Sequence, residues 1–220
     1  MAGSSGVPAQ PRLAAAVRPA DPPGPGAVDE AAFRQLAFVG LDLSELSGDG
    51  IEFEQCTFTQ SALAGAALDQ ARFVDCRVDH SDWPNLGAPK SGMLRVDLHQ
   101  ARLTGLQWVD GSLRDVAFRE CRMDLATFRF SRFKDVAFVD CNLTRADFTQ
   151  ADLRGAHFRG CDLSGAQFAQ ADCRGAWFTR CDLVGVGSVG SLKGATISAD
   201  DLAALSHTLA AALGITITDM

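Results

Sequence analysis

"CNLTRADFTQADLRGAHFRGCDLSG", residues 141–165, is five consecutive units of five residues. Each unit opens on a small side chain: Cys141, Ala146, Ala151, Ala156, Cys161. Two positions later each carries a bulky apolar one: Leu143, Phe148, Leu153, Phe158, Leu163. The remaining positions are mostly Asp, Arg, Gln, Gly, Thr and Ser. A period of five matches neither the 3.6 of a helix nor the 2.0 of a strand. Such a chain must bend after every unit, turning one small and one large side chain inward each time.

The rhythm extends in both directions. From Phe33 to Leu183 every fifth residue belongs to the large series, and only Gly48 and Ala88 interrupt it. A second period, of four such units, lies above the first. Phe38, Phe58, Val78, Leu98, Phe118, Phe138, Phe158 and Phe178 form one column, and Leu43, Leu63, Trp83, Leu103, Met123, Leu143, Leu163 and Leu183 another. Four sides of one unit each make a coil, with like side chains stacked in successive coils. The expected fold is therefore an all-β, square solenoid over residues 29–190, about eight coils standing about 38 Å tall at the usual strand spacing.

The units ADLRG (151–155), CDLSG (161–165), CNLTR (141–145) and ADFTQ (146–150) resemble the pentapeptide-repeat family, whose pattern is A(D/N)Lxx. The resemblance covers roughly residues 31–187 and implies a right-handed quadrilateral β-helix. It also implies a non-catalytic interaction protein. Some members of the family act on DNA gyrase, a type II topoisomerase, imitating duplex DNA by shape and negative charge, protecting it from fluoroquinolones, and dimerising through their C-terminal ends.

Within the repeat, Cys121, Cys141, Cys161 and Cys181 fall into one column and Cys56 and Cys76 into another, all at the small inward position. Their expected role is packing, since no C-x-x-C or neighbouring His supplies a metal set. Asp147, Asp152, Asp162, Asp172 and Asp182 precede the large residue and should face outward, accepting turn amides. His80, His99, His157 and His207 share no spacing with a nucleophile, and neither "GDG" (48–50) nor "GVGSVG" (185–190) has the context of a phosphate loop. Neither catalysis, nor a metal, nor a cofactor is expected.

Composition narrows the partner class. The 220 residues carry a net charge of −7, which disfavours direct binding to nucleic acid or an anionic membrane. No long apolar run of membrane-spanning length and no signal-peptide pattern is present, so a cytoplasmic protein with reduced thiols is expected. Residues 1–28, rich in Pro, Gly and Ala, read as a disordered tail.

Departures from the repeat mark the candidate contacts. Gly48, in the stretch 44–50, removes a core side chain, and 83–92 holds Pro84 and Pro89, so a projecting loop is expected there. Residues 31–100 carry a net charge of −5, against +1 for residues 101–183. Candidate partner-binding residues are thus Asp42, Glu45, Asp49, Glu52, Glu54, Asp69, Asp75, Asp79, Asp82, Trp83, Pro84, Pro89 and Lys90. Arg114, Lys134, Arg154 and Arg174 form a basic column that interrupts any continuous acidic track. In residues 191–220, Ser198 can N-cap a helix that ends at Gly214. Its stripe Leu202, Leu205, Leu209 and Leu213 is the candidate cap and homodimer contact, and "ITIT" (215–218) reads as a short strand. The competing reading is a scaffold for an unrelated partner.

Overall fold

A computed structural model describes residues 7–21 and 28–216. The chain winds into a four-sided parallel β-solenoid of about nine turns, closed at its C-terminal end by the helix Ala199–Ala212. Successive coils pair in register, each residue with its counterpart one full coil on: Phe38 lies over Phe58, Phe118 over Phe138, and Phe138 over Phe158. Three strands, Gly92–His99, Ser112–Arg119 and Arg132–Val139, run through a corner and serve two faces. On the other two faces most pairing is by single bridges such as Arg122 with Asn142.

The corners explain the period. From Glu30 to Gly185, every residue whose number is divisible by five has a positive φ, Glu45 alone excepted. A left-handed residue turns the chain through each bend, and Val, Ile and Thr, which suffer most there, occupy none of these positions. Each such corner amide can then donate to the neighbouring coil, as Gln150 does to Ala169 (2.8 Å).

From Phe38 onward, Gly48 apart, the large series is buried, including Phe38, Phe58, Phe118, Phe138, Phe158, Phe178, Leu143, Leu163 and Leu183. Phenylalanines stack in register: the centroids of Phe118, Phe138, Phe158 and Phe178 follow each other at 4.9, 4.9 and 4.8 Å, with planes within 5°. That spacing is the strand spacing, so the rings repeat with the backbone. All seven cysteines are buried and free. Those at the small position also bond: Cys141 Sγ donates to the carbonyls of Phe118 and Val139, both at 3.4 Å. Ser91 does the same with Leu68 (3.0 Å) and Pro89 (3.3 Å). The position therefore takes a small donor as readily as a small hydrophobe. Burial pushes the thiols of Cys76 and Cys173 up, the latter to about 12, which leaves them inert.

Both ends differ from the sequence expectation. Instead of an unstructured tail, residues 7–21 lie against the solenoid, with Arg18–Pro19 pairing in parallel with Leu36–Ala37 and adding to the expected coils. The Arg12 amide donates to Asp75 (2.9 Å), and Gln55 donates to the Arg12 carbonyl (2.8 Å). Gly48 meets Val28, its counterpart one coil earlier: a Cβ there would lie 3.0 Å from the Val28 carbonyl carbon. At the other end, Ser198 caps the helix by accepting from the Asp201 amide (3.4 Å). Asp201 accepts in turn from the Cys181 amide (3.1 Å), a donor the open end of the ladder would otherwise leave unpaired. Gly214 (φ 70°) closes the helix, with Gly214 donating to Ala211 and Ile215 to Ala210. Of the expected strand 215–218, residues 215 and 216 are irregular and 217–218 lie outside the described residues. The short terminal strand is Thr196–Ile197, ahead of the helix.

Candidate functional surface

The segment 83–92 does not project. Trp83 donates its amide to Arg102 (2.8 Å), Asn85 to Thr104 (2.8 Å) and Lys90 to Val109 (2.8 Å), so the ladder continues unbroken. Trp83 is fully buried, edge-on to Phe58 at 5.2 Å, and belongs to the core rather than to a contact surface. Pro84 and Pro89 precede the left-handed Asn85 (φ 53°) and Lys90 (φ 55°), the turn position where a fixed proline φ fits. In later coils the amide at this position serves the turn itself, as Thr144 donating to Asn142 (3.0 Å) shows, so proline forfeits no ladder bond. The two prolines stand one unit apart, in phase with the repeat, and that was the available signal. Lys90 remains exposed at its corner.

The acidic candidates are spread over all four faces, and most are engaged. Asp75 is buried and takes a bidentate contact from Arg95 (2.6 and 2.7 Å). Burial alone would raise its carboxyl; the Arg95 hydrogen bonds and charge, with the Arg12 amide, outweigh it and hold the group below the usual range. Glu54 pairs with Arg34 (3.0 Å), Glu52 lies between Arg34 (3.8 Å) and Arg72 (3.9 Å), and Asp82 takes Arg102 in two contacts. Asp42 accepts from the Ser44 amide (3.0 Å), and Glu45 is exposed at the one corner without a positive φ. Asp147, Asp162 and Asp182 accept the amides two positions on, at 2.8 to 2.9 Å, as the turn chemistry predicts.

What stays open is a column. Asp29, Asp49 and Asp69 follow one another from coil to coil on one face, all exposed, and none has an ion-pair partner among the described residues. Asp49 donates its amide to the Asp29 carboxylate (2.9 Å) and accepts from Gln70 (2.8 Å). Asp29 lies outside the acidic set expected from the sequence; its place was legible only by extending the register upward.

The basic column is partly neutralised. Arg154 pairs with Asp152 (2.6 Å) and Arg174 with Asp172 (2.5 Å). Arg174 holds the Asp172 carboxyl down to about 2. Lys134, flanked by Arg114 and Arg132, has no ion-pair partner among the described residues. A cavity of 280 Å³ opens on the adjoining face among Pro8, Ala117, Arg119, Val139, His157 and Arg159.

On the capping helix, Leu205 is buried against the solenoid and Leu209 is half-buried, whereas Leu202 and Leu213 face out, 51% and 75% exposed. The expected stripe therefore splits between cap and free surface. Among the described residues, no helix is long and apolar enough to cross a membrane.

Residues 111–187 match the family model described as "Pentapeptide repeat region". The chain carries a pentapeptide-repeat region. No curated protein matches the sequence. The pentapeptide-repeat solenoid is similar to a trypsin-treated form of QnrB1, described as a plasmid-mediated fluoroquinolone resistance protein, at 22% identity and a TM-score of 0.37 over 91% of this chain and 96% of that one. It is also similar to HetL of the cyanobacterium Nostoc, described as a pentapeptide repeat protein involved in heterocyst differentiation regulation. There the identity is 18% and the TM-score 0.30, over 76% of this chain and 87% of that one.

One cluster escaped the sequence reading. Asp79 and His99 stack on adjacent coils, and His80, at the corner beside Asp79, folds back to the same carboxylate oxygen. Burial would raise the Asp79 carboxyl, but the hydrogen bonds and charge of His99 and His80 hold it below its ordinary value.

Proposed function

We propose that the protein is a non-catalytic, cytoplasmic interaction protein that engages the DNA-binding surface of a type II topoisomerase such as DNA gyrase, competing with DNA and modulating the action of inhibitors. The observation that carries this reading is the column Asp29, Asp49, Asp69: uncompensated carboxylates at a regular spacing on a rigid face. Repeated anionic groups on a stiff rod suit a cationic groove built for phosphates. The exposed Leu202 and Leu213 suit a twofold contact that would place an acidic end at each extremity of a dimer.

The paired carboxylates and the basic column favour a second reading, a scaffold for an unrelated protein. A supercoiling assay separates the two. Purified gyrase is titrated with the full chain, with and without a fluoroquinolone. The first reading expects inhibition or drug protection at micromolar protein, weakened in the Asp29→Asn/Asp49→Asn/Asp69→Asn variant. Unchanged supercoiling and unchanged drug sensitivity would leave only the scaffold.

A further inference from the structure

We propose that Asp79, His80 and His99 form a surface site for a divalent metal ion of the zinc and nickel class, with Glu120 as the orienting carboxylate. The donor atoms converge. His80 Nδ1 lies 3.0 Å and His99 Nδ1 2.9 Å from the same atom, Asp79 Oδ1, and the three donor atoms all fall within 4.8 Å of one another. Ligands about 2.0–2.2 Å from a common ion in tetrahedral array lie about 3.4 Å apart, so the cluster is close to the required size before any ion enters. The imidazoles stand edge to face, with planes at 86° and centroids 5.8 Å apart, which lets both nitrogens reach one point without ring contact.

The fold sets this geometry. Asp79 and His99 are register partners on adjacent coils, so their separation is that of the ladder. His80 sits at a left-handed corner (φ 49°), which aims it along the rod's edge rather than away from it. The three side chains are between 35% and 54% exposed, so an ion can enter from solvent and keeps an open position for water or a further donor.

A supporting carboxylate stands behind the ligands. Glu120, on the next coil, approaches His99 Nε2 at 3.6 Å and is itself held by Gln100 (2.9 Å). A carboxylate behind a ligating histidine fixes the ring and raises its basicity. Arg119, the register partner of His99, is committed to Asp97. Two nitrogens and one carboxylate form a borderline donor set that suits zinc, nickel, cobalt and copper; calcium and magnesium favour oxygen alone.

The test is isothermal titration of tag-free full-length protein with zinc chloride, and separately with nickel chloride. The expected result is one equivalent bound with a micromolar Kd, weakened about tenfold or more in His80→Ala and in His99→Ala. Glu120→Gln should weaken it by a smaller factor, and His157→Ala should leave it unchanged. Melting temperatures of the variants should stay close to that of the parent, because His80, His99 and Glu120 are 54%, 38% and 54% exposed and none belongs to the packed core. Absence of stoichiometric uptake, or uptake undiminished in the His80→Ala/His99→Ala double variant, would overturn the proposal.

Discussion

In the coils before residue 103, the closest carboxylate–guanidinium pairs reach from one coil to the next. Asp75 with Arg95, Asp82 with Arg102 and Glu54 with Arg34 each join one coil to its neighbour. In the coils beyond residue 120 the closest pairs lie within a coil: Arg122 with Asp124, Arg154 with Asp152, Arg174 with Asp172, each on the same side of the same turn. The phenylalanine column runs into both halves, interrupted by Val78 and Leu98 in the first and continuous in the second. A cross-coil pair ties together segments that must find each other, whereas a within-coil pair stiffens a turn the backbone already makes. The same residue types thus act as rivets in one half and as local clamps in the other.

The comparison can be broken at its strongest point first. Phe58→Ala and Phe138→Ala, one in each half, should each cost about 3–5 kcal/mol in chemical denaturation, because both rings are fully buried in stacked columns. Markedly unequal losses would mean that the halves differ in their cores as well as on their surfaces. Next, Asp75→Ala should cost about 2 kcal/mol, since it strands the partly buried Arg95. Asp172→Ala, at a solvent-screened pair, should leave the denaturation midpoint within the error of the measurement. Equal effects would erase the distinction between rivet and clamp.

A subtler difference is in acid. The Asp75 carboxyl is held below its unfolded value, so its contribution to stability is present above about pH 4 and is lost as the pH falls through the lower, folded value. Melting temperature followed from about pH 6 to about pH 3 should therefore drop more steeply in the parent than in Asp75→Asn. Parallel curves would show that Asp75 is not coupled to folding.

The large columns, the cysteine column and the outward aspartates were legible in the sequence because each repeats with the unit or with the coil, and its direction follows from phase alone. Pro84 and Pro89 imply a loop only where the missing amide would have served the ladder; at this position the amide serves the turn, which the sequence alone does not show. Trp83 lies inside, as its place in the column of large residues requires, although its proline neighbours suggest a contact surface. His80 and His99 went unseen for a different reason. They belong to different columns, and only the backward turn of a left-handed corner converts that offset into a contact. The engagement of residues 7–21 could not be read either, since the segment has no repeat and docks through a two-residue strand on Leu36–Ala37 and single hydrogen bonds with Asp75 and Gln55.

A register of one coil, held from the first coil to the last full one, governs how the rod assembles. Between the two terminal strands, ladder pairs close loops of the same modest length whichever coil they belong to, so adding coils leaves the typical span of a contact unchanged. Each completed coil offers a finished edge to the next, and folding of the repeat becomes growth along one dimension with nearest-neighbour coupling, while residues 7–21 bond across several coils. Such growth has no internal reason to stop. The Asp201 carboxylate on the Cys181 amide supplies one.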